Sequence, residues 1–283
     1  MSGVNQPSPP RRQMLLHSQD GLTYLRWQNP WIIVWWSASF PGFGHFLLHQ
    51  YIRGFLLSLW EVIINRLTHI NEAIVYSFSG RVEMAKEVIE PLWLFAYMLV
   101  YMYAIWDSYI KSIEANKLHH LAMMENSRLV PYQILSLNIT YLSIKRPWAA
   151  MLCSFMFPGL GQLYNNRIAL GFYGLFWWFV YMTFSRSHAV LLSLIQGNAQ
   201  GNWNVLDPQW LLFMPSVIGG AMYDAFMTAR DNNGLFRLEQ KQFLGERYPH
   251  YKLYLFPMDG GRQDANNQQL QTFIRGGTGA GRS

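Results

Sequence analysis

A set of residues recurs in this chain at a constant offset of 117 positions, without a gap. Between Thr23–Asp107 and Thr140–Asp224, 21 of 85 aligned residues are identical. The shared residues include a Pro-Trp pair, a Phe-Pro-Gly-x-Gly segment that begins at Phe40 and again at Phe157, and an Ala-x-x-Asp sequence at the end of each copy. Self-similarity at a fixed period is typical of a duplicated structural unit. The chain is therefore predicted to contain two direct repeats.

The composition indicates a membrane protein. Apolar residues make up 51% of the chain and charged residues only 13%, whereas a soluble domain has about 25% charged residues. Several apolar runs approach the roughly 17–25 residues that a membrane-spanning helix needs. Six runs are present: Trp31–Leu48, Gly54–Leu67, Pro91–Ile110, Trp148–Leu163, Ala169–Phe184 and Trp210–Met227. We expect an all-α integral membrane fold.

Several functional classes have no support in the sequence. The net charge is +6, but the basic residues form no stripe interleaved with aromatic residues, so nucleic acid is not an expected partner. The single cysteine, Cys153, excludes a disulfide framework and a thiolate metal site. No phosphate-binding glycine loop, dinucleotide fingerprint or nucleophile elbow is present. We therefore expect neither an enzyme nor a cofactor.

The distribution of lysine and arginine predicts the topology. Each copy contains three apolar segments. If the first segment enters and leaves the membrane on one side, 18 of the 22 basic residues share that side. The other four are Arg66, Arg81, Lys86 and Arg186. Because basic residues concentrate on the cytoplasmic side, we expect two spanning helices per copy and both termini in the cytoplasm. The expected location is the bacterial inner membrane, with several passes.

The first segment of each copy is predicted to be a hairpin broken by proline and glycine. Trp31–Phe40 is ten apolar residues, or about 15 Å of helix. Pro41 cannot continue that helix because it lacks an N–H group, and glycines permit backbone angles that other residues avoid. A re-entrant hairpin is the first interpretation. A proline-kinked spanning helix and a helix lying in the membrane interface are the alternatives.

These features predict five regions along the chain. A cytoplasmic N-terminal segment precedes the first membrane repeat, a cytoplasmic linker joins it to the second repeat, and a cytoplasmic tail follows. The tail is rich in glycine, glutamine and asparagine, which predicts partial disorder. The predicted boundaries are 1–22, 23–116, 117–139, 140–233 and 234–283.

The second copy resembles a known group of proteins. The segment Phe157-Pro158-Gly159-Leu160-Gly161-Gln162-Leu163-Tyr164-Asn165, followed by Gly171 and a later aspartate, is similar to small bacterial two-helix hairpin membrane proteins. That group carries a PGxGQxYxG-type motif and a terminal Trp/Tyr-Asp pair. The resemblance covers both copies and neither tail, but the first copy has His45 and Leu47 in place of the glutamine and tyrosine. Because this group mostly lacks an assigned activity, the resemblance implies a fused pair of units and no chemistry.

Asp107 and Asp224 are the most prominent polar residues, because both copies place an aspartate at the end of the third segment. A carboxylate near the end of a membrane helix is unfavourable without a partner. We expect each to accept hydrogen bonds from backbone N–H groups at the hairpin exit, near Gly54 or Gly171. A direct role in ion or proton movement is the alternative. The predicted structural motif consists of these two aspartates with Pro41, Gly42, Gly44, Gly54, Pro158, Gly159, Gly161 and Gly171.

His45 and His49 have the i, i+4 spacing that can bind one metal ion on a helix. No third ligand recurs nearby, and the second copy has Gln162 and Asn166 at these positions. Two amides in place of two imidazoles favour hydrogen bonding to the hairpin, so no metal is expected.

Glu61, Asn65 and Arg66 lie on successive turns of one helix, in the first copy only. One interpretation is an asymmetric polar ligand pocket. The other is that Glu61 pairs internally with an arginine or an amide, while Arg66 extends to the outer interface.

The sequence favours a non-catalytic scaffold or accessory subunit of a membrane complex. The expected partners are the lipid bilayer and an unidentified membrane protein, with a homo-oligomer as a further option. The alternative is a small transporter or permease-like subunit that uses the polar pocket of the first copy, because broken helices in corresponding halves often form transporter sites.

Overall fold

The computed structural model describes residues 11–125, 127–136, 138–197 and 203–248. The described residues are mostly helical, as the sequence predicts, and also form four short strands that the sequence analysis did not predict. The described residues up to Gln242 form one compact unit, and those from Phe243 to Tyr248 belong to a second.

The first half of the main unit, residues 15–124, begins with a two-stranded hairpin and continues with helices. Proline starts α1 and α6, where its missing N–H is not needed. The elements are β1 (Leu15–Ser18), β2 (Gly21–Tyr24), α1 (Pro30–Ser39), α2 (Phe43–Leu47), α3 (Tyr51–Thr68), α4 (Ile70–Phe78), α5 (Val82–Val88) and α6 (Pro91–Met124).

The second half, residues 132–241, has a similar order of elements. Each element of the second half named below, apart from α12 and the 3₁₀ turn, starts within one residue of the position 117 beyond the start of an element of the first half. The elements are β3 (Tyr132–Ile134), β4 (Ile139–Tyr141), α7 (Pro147–Met156), α8 (Leu160–Tyr164), α9 (Ile168–Phe184), α10 (Ser187–Ile195), α11 (Pro208–Leu211) and α12 (Phe213–Arg247), with a 3₁₀ turn at Trp203–Val205.

The predicted region boundaries do not coincide with the ends of these elements. Both hairpins are antiparallel, and Leu15 pairs with Tyr24 as Tyr132 pairs with Tyr141. The boundaries at 22/23 and 139/140 fall inside β2 and β4, and those at 116/117 and 233/234 fall inside α6 and α12. Strands of three or four residues are too short to give a periodic apolar pattern.

The Pro-Gly segment folds back on the helix before it. Gly42 has φ 101°, in the left-handed region. A Cβ atom on Gly44 would lie 2.1 Å from Ser37 Oγ and 2.7 Å from the Ile33 carbonyl oxygen. In a continuous helix Ile33 and Gly44 would be about 16 Å apart. The geometry is therefore a hairpin and excludes a proline-kinked continuous helix. Gly161 has the matching close contacts with α7.

Only part of the predicted set of spans is supported by helix length and composition. Among the described residues, the helix Pro208–Arg247 is long and apolar enough to cross a membrane alone. Two further pairs of consecutive helices are long and apolar enough only when each pair is counted as one span. The helices of these pairs are bent relative to each other, by 87° between Val82–Val88 and Pro91–Met124 and by 79° between Ile168–Phe184 and Ser187–Ile195. Helix α3 was predicted to span the membrane. It is not apolar enough to do so, because it carries the charged residues Arg53, Glu61 and Arg66.

The two halves share a buried core. Phe40 and Val62 of the first half pack with Tyr181, Phe213 and Val217 of the second.

Candidate functional site

The first aspartate cluster ties the hairpin of the first half to α6. Asp107 is buried on α6 and accepts a hydrogen bond of 3.0 Å from Nε2 of the fully buried His45 on α2. Arg53 on α3 donates from Nη1 to both carboxylate oxygens, at 2.8 and 3.1 Å. One carboxylate therefore fixes three helices.

The second cluster is built in the same way but is more deeply buried. Asp224 on α12 accepts a 3.1 Å hydrogen bond from Nε2 of Gln162, the counterpart of His45. Arg167 donates from Nη1 to both oxygens, at 2.6 and 2.8 Å, and to Thr228 Oγ1 at 2.9 Å. Because the imidazole and the amide each supply one N–H donor here, the substitution preserves the contact.

The expected donors to the two aspartates were wrong. The sequence analysis predicted backbone N–H groups near Gly54 and Gly171, but those two groups bond to the carbonyls of Gln50 and Arg167 inside their helices, both at 2.9 Å. The donors described above are side chains instead. The arginines were missed because Arg53 and Arg167 do not align at the 117-residue offset. Arg53 corresponds to Leu170, which is about one helical turn after Arg167.

The glycines and prolines of the predicted motif do come together. A Cβ atom on Gly42 would lie 2.5 Å from the carbonyl oxygen of Gly54, and one on Gly159 would lie 2.3 Å from that of Gly171. Both prolines, Pro41 and Pro158, are buried. The motif therefore lets each hairpin backbone approach the next helix closely.

A chain of hydrogen bonds joins the two halves at Tyr51. Arg167 Nη2 of the second half donates to the Tyr51 hydroxyl of the first half at 3.1 Å. The hydroxyl lies 2.9 Å from Nδ1 of His49. The Tyr51 hydroxyl therefore hydrogen-bonds to Arg167 of the second half and to His49 of the first. Burial, with Arg167 and Arg26 nearby, holds the pKa of His49 well below its usual value, so the imidazole is neutral.

A second contact joins the β1–β2 hairpin and the segment after it to α12 of the second half. Arg26 forms an ion pair with Asp231, and the Tyr24 hydroxyl donates to the same carboxylate at 3.1 Å. Burial, followed by the charge of Asp231, raises the pKa of the Tyr24 hydroxyl. The hydroxyl therefore stays protonated and acts as a donor.

An asparagine clamp recurs in each half and was missed by the sequence analysis. Asn116 exchanges two hydrogen bonds with the backbone of Gln28, at 2.8 and 2.7 Å. Asn233 does the same with Lys145, at 2.7 and 2.8 Å. The signal was the asparagine shared at the 117-residue offset. It lies beyond the aligned region, and its partners are backbone groups.

The structure brings together only part of the predicted polar pocket. Asn65 Nδ2 donates to Glu61 at 3.1 Å and to Asn71 at 3.0 Å, while Gln209 Nε2 donates to Asn65 Oδ1 at 2.6 Å. Arg66 is exposed and does not take part in these bonds. Glu61 thus binds an amide internally, and Asn71 and Gln209 are the members that sequence reasoning missed.

An apolar cleft lies elsewhere, between the two halves. The space inside it, together with the open solvent at its mouth, is about 580 Å³. The Ser58 and Tyr173 hydroxyls bond to each other at 2.5 Å in its wall, and Gln162 and Asp224 also line it. Glu61, Asn65 and Arg66 are not among the residues that line this cleft. The aromatic side chains in its wall are Phe40, Phe43, Phe46, Tyr173, Trp177 and Tyr181.

Within the described ranges, no group of three or more histidine, cysteine, aspartate or glutamate side chains is arranged to hold a metal ion. No family model matches the chain, and no curated protein or solved structure is significantly similar to it.

Proposed function

We propose that the chain is a multi-pass inner-membrane protein built from two tandem units, with both termini in the cytoplasm. The proposal is supported by large apolar side chains that are exposed on the described helices, an arrangement that is favourable in lipid and unfavourable in water. They include Leu92, Phe95, Met98, Leu99 and Trp106 on α6, Leu152 and Phe155 on α7, and Phe172, Phe176 and Phe179 on α9. The resemblance to two-helix hairpin proteins belongs to this proposal.

The role that fits this protein best is a non-catalytic scaffold or accessory subunit of a membrane complex. The observation that carries this proposal is that three buried acidic side chains bind other side chains of the protein. Asp107 and Asp224 each bind an arginine, and Glu61 binds an amide. A buried carboxylate that is paired and hydrogen-bonded favours one arrangement of the helices around it. Each of these groups therefore fixes helices within its own half, and the bonds from Arg167 to Tyr51 and from Gln209 to Asn65 join the two halves.

A transporter has less support. That alternative required Glu61 and Arg66 to face a common cavity, whereas Arg66 is exposed and Glu61 is hydrogen-bonded to Asn65 and Tyr97. The cleft between the halves is mostly apolar.

The test is purification of the tagged protein from its native membranes in a mild detergent, followed by mass spectrometry. Membranes that carry the untagged chain provide the control. We expect a second membrane protein in near-stoichiometric amount. Recovery of the chain without another protein would contradict the scaffold role.

Replacing Glu61 separates the scaffold from the transporter. Glu61→Gln retains an oxygen that can accept from Asn65 and Tyr97, so we expect unchanged abundance and partner recovery. As a control, Glu61→Leu leaves Asn65 without that acceptor and should lower the free energy of unfolding by about 1–3 kcal/mol. Loss of a transport-dependent phenotype in Glu61→Gln at normal abundance would favour the transporter.

A further inference from the structure

One of the contacts between the two halves joins unlike surfaces. The β1–β2 hairpin of the first half packs on the helix α12 of the second half. Leu15, Leu22 and Tyr24 of β1–β2 are buried in one cluster with Leu235 of α12. Elsewhere on α12, the Trp36 ring packs at a tilt on Tyr223, with ring centroids 5.2 Å apart, and Phe43 packs on Gly220. An interface of this kind, between two different patches, is heterologous.

The reverse contact is absent from the described residues. At the 117-residue offset, the three buried hairpin residues correspond to Tyr132, Ile139 and Tyr141, which are 60%, 57% and 46% exposed. Leu235 corresponds to Leu118, which is 46% exposed, and Tyr223 corresponds to Trp106, which is 60% exposed. Two apolar faces are therefore exposed. One lies on the β3–β4 hairpin of the second half, and the other lies on α6 of the first half.

Lipid does not account for all of this exposed surface. Leu118 lies 27 positions after Pro91 on one helix, a rise of about 40 Å, whereas the hydrocarbon core is about 30 Å thick. If α6 crosses the membrane as proposed above, Leu118 lies beyond the core. Apolar side chains exposed outside the bilayer mark a surface that binds another protein.

We propose that the β3–β4 hairpin of one chain packs on the α6 end of a second copy of the chain. The contact would reproduce the internal one between β1–β2 and α12. The internal contact also contains the hydrogen bond from Tyr24 to Asp231. The corresponding residues are Tyr141 and Glu114, whose side chain is 52% exposed and pairs through Oε2 with Lys111 on the same helix at 2.7 Å. The hydroxyl of one copy and the carboxylate of the next are therefore complementary.

We infer that the partner is a second copy of the chain, because the chain itself contains this contact once, between β1–β2 and α12. The counterparts of those two surfaces, β3–β4 and α6, are exposed on every copy. Such a heterologous contact joins two chains into a closed ring if the rotation between successive halves closes, and otherwise gives an open row. In both cases β3–β4 of one copy meets α6 of another.

The first experiment is cysteine cross-linking in native membranes between two differently tagged chains that both carry Cys153→Ala. One chain carries Leu118→Cys and the other Ile139→Cys. We expect a cross-linked product that contains both tags. Two chains with the same substitution should not cross-link, because the contact joins unlike surfaces. The internal pair Leu22→Cys and Leu235→Cys in one chain is the positive control.

No product between positions 118 and 139, with the internal control cross-linked, would overturn the proposal. Cross-linking of either position to a different protein would also overturn it.

The second experiment measures the mass of the purified protein in a mild detergent. We expect the full-length chain to be oligomeric, and Leu118→Glu and Ile139→Glu each to make it monomeric with an unchanged melting temperature. Met124→Glu is the matched control, because Met124 is exposed on the same helix and its counterpart Lys241 lies outside the internal cluster. A monomeric full-length chain, or equal dissociation by the control, would overturn the proposal.

Discussion

At the scale of single residues, Asp107 and Asp224 occupy matching positions but bind arginines that differ in exposure. The Arg53 side chain is 47% exposed, and that of Arg167 is 4% exposed. An exposed ion pair contributes about 0–1 kcal/mol to stability. Removal of one partner from a buried pair leaves an uncompensated charge, at a cost of about 3–5 kcal/mol. The two aspartates are therefore unequal in their effect on stability.

We expect Asp224→Asn to lower the free energy of unfolding by about 3–5 kcal/mol, since it leaves Arg167 buried without a carboxylate. Asp107→Asn should cost about 1–2 kcal/mol, because Arg53 can turn to solvent. Unfolding in detergent and cellular abundance measure both effects. The exposed Asp20→Asn is the control, with a change within about 0.5 kcal/mol. Equal losses in the two variants would contradict this ranking.

His49 gives a prediction about pH. Its pKa is well below the usual value in the folded protein and about 6.5 in the unfolded chain. Below about pH 6.5 the unfolded chain therefore binds a proton that the folded protein does not. The free energy of unfolding is therefore unaffected by this histidine above about pH 6.5, and it decreases as the pH falls from there toward the pKa of His49 in the folded protein. We expect the melting temperature to fall as the pH decreases from about 6.5 to about 5.5.

His49→Asn should reduce this pH dependence. Asparagine is a suitable replacement because the counterpart of His49, Asn166, has φ 61° where His49 has φ 58°. Other histidines contribute equally to both proteins, so the difference between the two melting curves isolates His49. Identical curves would show that His49 does not titrate as expected.

At the scale of elements, each Pro-Gly hairpin depends on close backbone contact. A Cβ atom on Gly161 would lie 2.3 Å from the carbonyl oxygen of Ala150 and 2.7 Å from the Ala225 side chain. Backbone atoms cannot move aside as the end of a flexible side chain can. The hairpin was predictable from sequence because proline and glycine act locally. The small strands and the full length of α6 depend on tertiary contacts and were not.

We expect Gly161→Ala to lower the free energy of unfolding by more than about 2 kcal/mol through overpacking. Gly234→Ala is the matched control on α12, where a Cβ atom would meet nothing within 4 Å. It should instead stabilise the helix by about 0.5–1 kcal/mol. Thermal unfolding of both variants in one detergent provides the comparison. A tolerated alanine at Gly161 would contradict the packing argument.

At the scale of the whole molecule, the proposed topology predicts the side of the membrane for each loop. Alkaline phosphatase fused after Gly80, in the turn between α4 and α5, should be active outside the cytoplasm. A fluorescent protein fused after Ser136 or at the C-terminus should fluoresce in the cytoplasm, since basic residues concentrate there. Phosphatase activity after Ser136 would contradict the proposed orientation.

By itself, the sequence determined the mostly helical fold, the broken hairpins and the 117-residue spacing, because each depends on local backbone preference or on the identity of aligned residues. Only the tertiary structure decided that Arg53 and Arg167 reach the two aspartates and that Arg66 stays apart from Glu61. It also decided that Leu22 is buried while its counterpart Ile139 is exposed. Those outcomes depend on contacts between residues far apart in sequence, and matching segments acquire different surroundings when two halves pack through unlike faces.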